Sequence, residues 1–268
     1  MNNYSLLKVK CFLLDMDGTF NLGDRIIDGS LYFIDTLNNL GIDYIFLTNN
    51  SSKHRSIYAE NISRLGLPIP DEKVFTSGEA TALYIAKEYP SATVYLVGTP
   101  ALEEEFCQHG FQLVENNPQL AVLGFDTTLT YQKLWKLCDF VRAGLPYIAT
   151  HPDYNCPTET GYMPDIGAII AFVSAATGRE PDIVVGKPNR MIIDILTQKL
   201  GLSMDKMAMV GDRLYTDIAL GHTSGITTCL VLSGETSLED LAGSPFQPTY
   251  KFANLGAIAD WLKDHTSI

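Results

Sequence analysis

Short apolar runs alternate along the chain with stretches in which apolar residues recur every three or four positions. Val9 to Leu14 is apolar except for Lys10, the length of a buried strand. Phe20 to Asp28 is polar and glycine-bearing, which predicts a loop or a small hairpin. Leu31, Phe33, Ile34, Leu37 and Leu40 then keep a helical period, with Ser30 as expected N-cap and Gly41 as stop. Tyr44 to Leu47 reads as a second buried strand, and Ser56 to Leu65 as a helix closed by Gly66. Strand, helix, strand, helix predicts an α/β protein with a doubly wound parallel sheet.

The rhythm changes near Ser77. Helices are expected over 79–88, 102–109 and 131–143, and strands over 94–97, 121–123 and 147–149. His151 to Asp165, with its prolines, is expected to be irregular. A helix over Ile166–Thr177 follows; its stretch Ile166–Val173 is apolar enough for core or interface, and core is the expectation. Ile183 to Val185 then resumes the first pattern, followed by strands over 207–210 and 229–232 and a terminal helix over 255–263. These elements predict a catalytic core over 1–77 and 183–268, with a second α/β domain over 78–182 inserted into it. There is no internal repeat and no low-complexity linker.

Composition narrows the partners. The 268 residues are 46% hydrophobic and 19% charged, ordinary for a folded soluble protein, and can bury a large core. A net charge of −12 argues against nucleic acid or an anionic membrane as the main partner. Cys11, Cys107, Cys138, Cys156 and Cys229 are scattered and odd in number, which fits reduced thiols. With no apolar signal region and no run of about eighteen apolar residues, a cytoplasmic protein is expected.

The candidate chemistry lies at strand ends. Asp15 and Asp17 follow the first strand, and if extended geometry persisted both carboxylates would face one crevice. The alternative is an Asx-type turn with Asp17 capping and Asp15 solvated. Thr48, Asn49 and Asn50 follow the second strand, Lys187 follows Ile183–Val185, and Asp212 with Asp217 follows Met207–Val210. Strand ends of a parallel sheet converge on one edge. Three carboxylates there repel one another unless a cation joins them, and hard oxygen donors favour Mg²⁺. A threonine hydroxyl, turn N–H groups and a lysine suit phosphate oxygens. The set reads as a magnesium-dependent phosphoryl-transfer site. No G-x-G-x-x-G follows the first strand, and Gly186-Lys187-Pro188 lacks the glycine spacing of a P-loop. His54, His109, His151, His222 and His265 are spread out and read as surface or satisfied core residues rather than zinc ligands.

D-M-D-G-T, L-T-N-N, G-K-P-N and G-D-R-L-Y-T-D resemble, in order, the four signature motifs of the haloacid dehalogenase-like hydrolase superfamily. The large insertion, with T-G-R-E-P and G-K-P after it, is similar to the NagD-type subfamily with a C2 cap, which holds 4-nitrophenylphosphatase-like and phosphoglycolate phosphatase-like enzymes. The resemblance implies a Rossmann-like core and a small-molecule phosphate ester as substrate. It implies that Asp15 is the nucleophile, forming an aspartyl phosphate, and that Asp17 is the general acid/base. Thr48 with Asn49 and Asn50 would bind phosphate, and Lys187 would steady nucleophile and phosphate. Asp212 would hold Mg²⁺ with the Asp15 carboxylate and the Asp17 carbonyl, supported by Asp217. Pro164-Asp165-Ile166-Gly167 departs from the glycine-richer sequence of relatives, which bears on substrate choice. The loop His151–Pro157 is the expected selector. A phosphotransferase using the same intermediate and a non-catalytic phospho-ligand binder are the alternatives. A homo-oligomer through the inserted domain is left open.

Overall fold

The computed structural model describes residues 5–158 and 161–266. The fold is α/β and Rossmann-like, and the chain divides into two compact units. One comprises the described residues up to Thr48, Ala59–Phe75, and those from Lys187 onward; the other comprises Asn49–Tyr58 and Thr76–Gly186.

The first unit is built on a six-stranded sheet in the order Tyr250–Phe252, Thr227–Val231, Met207–Gly211, Cys11–Leu14, Asp43–Thr48, Val74–Thr76. Cys11–Leu14 is buried throughout and pairs in parallel with strands on both sides, Leu14 lying between Val210 and Phe46. A strand buried on both faces reads as a continuous apolar run, which is why it was legible. The helix Ser30–Leu40 buries Phe33, Ile34 and Leu37, and the Phe33 ring meets Phe12 edge-on at 5.4 Å. It packs beside the helix Leu255–His265. Ser30 does not cap it: Gly29, at φ +89°, holds the cap position, and the Ser30 hydroxyl donates instead to the Phe20 carbonyl at 2.9 Å. That bond ties the helix start to the small hairpin Asn21–Leu22 and Arg25–Ile26.

The second unit holds a five-stranded sheet in the order Ile183–Val184, Tyr147–Ala149, Leu120–Leu123, Thr93–Val97, Gln112–Leu113. Ile183–Val184 was expected to rejoin the first sheet. It pairs instead with Tyr147–Ala149, and the Tyr147 N–H donates to Asp182. Threonines at 76, 99 and 130 cap three of its helices, each accepting an N–H three residues on. Two further expectations fail here. Residues 151–165 are not irregular: Asn155–Thr158 and Gly161–Pro164 form an antiparallel hairpin. Pro157 and Pro164 are tolerated because a two-stranded ribbon leaves alternate N–H groups unpaired. Residues 159 and 160 of that stretch lie outside the described residues. The helix Ile166–Thr177 is also less buried than its apolarity predicts, since only Ile166, Gly167 and Val173 are buried and Phe172 is 44% exposed. All five cysteines are free thiols. Among the described residues no helix is long and apolar enough to cross a membrane.

Candidate active site

The first unit gathers Asp15, Lys187, Asp212 and Asp217. Asp15 leaves the central strand with its N–H still donated to Val210 at 2.9 Å, so its backbone is fixed by the neighbouring strand. The residue is only 8% exposed, which excludes the solvated turn reading. Oδ1 accepts from the Lys187 ammonium at 2.7 Å, and Oδ2 takes no hydrogen bond among the described residues. Lys187 is itself buried and also donates to Asp217 Oδ1 at 2.8 Å and to the Leu47 carbonyl at 3.1 Å. Burial alone would lower its pKa; the carboxylates of Asp15 and Asp217 outweigh that and raise it.

Asp212 follows the strand Met207–Gly211. Its Oδ2 accepts the Glu235 N–H at 2.7 Å and its Oδ1 the Thr19 hydroxyl at 3.3 Å. Two glycines make room for it. A Cβ at Gly18, where φ is +84°, would stand 2.3 Å from Oδ2, and one at Gly234 would stand 2.0 Å from the same atom. The Ser233 hydroxyl donates to the Gly18 carbonyl at 2.9 Å, joining the two loops. Asp217 lies in the π-helical turn Leu214–Ile218, with Oδ1 on Lys187 and Oδ2 accepting the Arg213 N–H at 3.2 Å.

Asp15, Asp212 and Asp217 each bring one carboxylate oxygen within 4.8 Å of the others. Burial, then the charges of Asp15 and Asp217, push Asp212 up to about 7. Burial pushes Asp217 up to about 6 against the pull of Lys187. Among the described residues Asp212 has hydrogen-bond donors but no salt-bridge partner. A buried carboxylate short of positive charge, in an all-oxygen donor set, fits a hard divalent cation.

The other residues singled out from the sequence are placed differently. Asp17 is exposed; its carboxylate is outside the three-carboxylate group, and Oδ1 accepts from Asn21 Nδ2 at 3.4 Å. Extended geometry stops at Leu14, so Asp15 and Asp17 do not share one buried face. Thr48 is buried at the end of the adjacent strand, one residue past the carbonyl that holds Lys187. Asn49 and Asn50 belong to the second unit. Asn49 Nδ2 donates to both Asp153 oxygens at 3.1 and 3.2 Å, and Asn50 Oδ1 accepts the Ser52 N–H at 2.9 Å. Asn49 also accepts the Ser77 hydroxyl on its carbonyl.

His151 is a satisfied core residue, as expected. Its Nε2 lies 3.0 Å from Asp165 Oδ1 and its Nδ1 3.1 Å from the Thr150 hydroxyl. With Asp153 and Asp165 it forms a second group of potential ligand atoms within 4.8 Å. Hydrogen bonds from Asn49 and from the Ile166 N–H already engage those carboxylates.

Sequence reasoning missed the loop Ser233–Glu235 and the hydroxyl of Thr19. The cue was S-G-E-T directly after the apolar run 229–232, a further strand end carrying polar residues.

The chain matches the family model for haloacid dehalogenase-like hydrolases over residues 12–112 and a second, HAD-hydrolase-like, family model over 184–258. An acid sugar phosphatase of Staphylococcus haemolyticus is 39% identical over 264 residues, 98% of each chain. Among solved structures, 4-nitrophenylphosphatase from Thermotoga maritima superposes with a TM-score of 0.94 at 46% identity, covering 96% of this chain and 99% of that one. A putative NagD protein gives 0.90 at 44% identity, covering 95% and 98%. Glycerol phosphate phosphatase from Mycobacterium tuberculosis in complex with calcium gives 0.87 at 30% identity, covering 95% and 76%.

Proposed function

The chain belongs to the haloacid dehalogenase-like hydrolases as a NagD-type phosphoric monoester hydrolase, and on that premise we propose that it hydrolyses small phosphate esters through an aspartyl phosphate on Asp15. The observation that carries this reading is the asymmetry of Asp15. One oxygen is held by Lys187 and the other is unengaged, beside two further buried carboxylates.

In the first step Asp15 Oδ2 attacks phosphorus in line, and the bond from phosphorus to the ester oxygen breaks. Asp17, exposed and thus reachable by substrate, gives its proton to the departing alkoxide. In the second step Asp17 takes a proton from water, the water oxygen attacks phosphorus, and the bond to Oδ2 breaks to release phosphate. Lys187 holds Asp15 Oδ1 and so orients the carboxylate throughout. The Thr48 hydroxyl and the turn that follows bind the transferred group; the side chains of Asn49 and Asn50 are engaged locally, so their offer to phosphate is backbone N–H. Asp15, Asp212 and the Asp17 carbonyl would hold Mg²⁺, with Asp217 in support. When bound, that ion supplies the positive charge that offsets nucleophile and phosphate.

The groups assigned to the bond-making steps all lie in the first unit, so the second unit serves as the cap and selects the ester. Sugar phosphates, phosphoglycolate and nucleotide-like esters are the substrate class. The exposed Tyr154, Tyr162 and Phe172 accord with a homo-oligomer through the second unit, and five free thiols accord with the cytoplasm.

The test is phosphate release from a panel of small esters with Mg²⁺, with excess EDTA, and with added alcohols. Release that needs the divalent ion is expected. Full release in EDTA refutes the metal, and loss of free phosphate to alcohol esters favours the phosphotransferase. No turnover of any ester leaves a binding protein.

A further inference from the structure

The loop that reaches Asp212 also supplies one half of an ion pair. Arg213 follows Asp212, and its side chain is only 14% exposed. Its guanidinium lies in the field of Asp15, Asp217 and Asp212. Its Nε sits 3.2 Å from Glu235 Oε2, yet that buried Nε makes no hydrogen bond of good geometry. Charge, more than a directed bond, holds the pair. The same Glu235 oxygen accepts the Tyr215 hydroxyl at 3.2 Å, and the Glu235 N–H is the one on Asp212.

The charges explain why such a pair matters. Asp15, Asp212 and Asp217, when ionised, offset by Lys187, present two negative charges to a divalent ion. Arg213, free to turn towards them, would cancel one. Glu235 provides the competing anion, half-exposed and anchored by Tyr215. We propose that Glu235 is a positioning residue for the divalent cation, drawing Arg213 away from the three carboxylates while its backbone N–H fixes Asp212. This rests on reading the three-carboxylate group as the cation site.

The test is equilibrium binding of Mn²⁺ to the full-length, metal-stripped protein, read from the free-ion paramagnetic resonance signal and so independent of turnover. The wild type is compared with Glu235→Gln, Arg213→Met and the double variant. Glu235→Gln should weaken Mn²⁺ by about twofold to fivefold, the scale of a partly screened ion pair. Arg213→Met should tighten it by a similar factor, and Glu235→Gln should have little effect once Arg213 is gone. A merely structural role for the loop would weaken binding in every variant, with no change of sign. Unaltered affinity in Glu235→Gln, or weaker binding in Arg213→Met, overturns the proposal. Should Glu235→Gln fail to fold, Arg213→Met decides alone: tighter binding supports the proposal, unchanged or weaker binding overturns it. A wild type that binds no Mn²⁺ removes the cation site itself, and the proposal with it.

Discussion

Replacing Asp212 by asparagine should stabilise the metal-free protein while destroying its metal site. Asp212 is 2% exposed and is pushed from 3.8 up to about 7 by burial, then by Asp15 and Asp217. A carboxyl with a raised folded-state pKa binds more protons folded than unfolded between those two values. Stability therefore falls as pH rises from about 4 to about 7, and the loss is complete above that range. At about 1.4 kcal/mol per pH unit the loss is at most about 4 kcal/mol. Asparagine carries no charge and keeps a carbonyl for the Glu235 N–H. Asp212→Asn should accordingly gain about 2–4 kcal/mol at pH 8 in EDTA and almost nothing near pH 4. The chain has two tryptophans, Trp135 in the second unit and Trp261 in the first. In a Trp135→Phe background, urea unfolding followed by Trp261 fluorescence reports the first unit. Mg²⁺ at about a thousand times its Kd should then reverse the order, since it adds about 4.1 kcal/mol to the wild type alone. No gain at pH 8, or an equal gain at every pH, would refute the reasoning.

Three further outcomes are expected. Asp15→Asn should lower kcat at least ~10³-fold with the circular dichroism spectrum unchanged; near-normal turnover by the folded variant would rule out the nucleophile. Gly234→Ala places a methyl 2.0 Å from Asp212 Oδ2 and must displace that carboxylate, so activity should fall by about 10- to 100-fold. Isothermal titration with Mg²⁺ should show the affinity falling with it, and retention of both would mean the loop yields freely. Asp153→Ala and Cys156→Ala should alter relative kcat/KM several-fold across the ester panel, with a minimal aryl phosphate changing least. Uniform losses, or none, would clear the loop of a role in selection.

The strand-end logic was legible because buried parallel strands leave apolar runs that stop where a carboxylate begins, as at Leu14–Asp15 and Gly211–Asp212. What escaped followed other rules. The helix Met191–Leu200 was unforeseen, and so were the edge strands Val74–Thr76 and Tyr250–Phe252. Each edge strand has three residues, too few for a period to emerge. Ile183–Val184 had the right composition and the wrong sheet, since pairing partners are chosen by tertiary packing. Phe172 was expected to be covered because the helix is apolar all round, and apolarity alone does not say what covers it. The contribution of Glu235 to Asp212 is a backbone N–H, which every residue but proline carries and which no motif can announce.

The distance along the chain between Asp15 and Lys187 has a consequence for biosynthesis. The two residues are 172 positions apart, and Cys11–Leu14 also pairs with Met207–Gly211. At roughly 5–20 residues per second, a ribosome needs roughly 10–35 s to pass from the nucleophile to its lysine. Throughout that interval one margin of an apolar strand lacks the neighbour it has in the finished sheet. Such a margin is a template for pairing with other nascent chains. Ribosome-associated chaperones should therefore crosslink to the growing N-terminal segment until Met207–Gly211 emerges, and release it then.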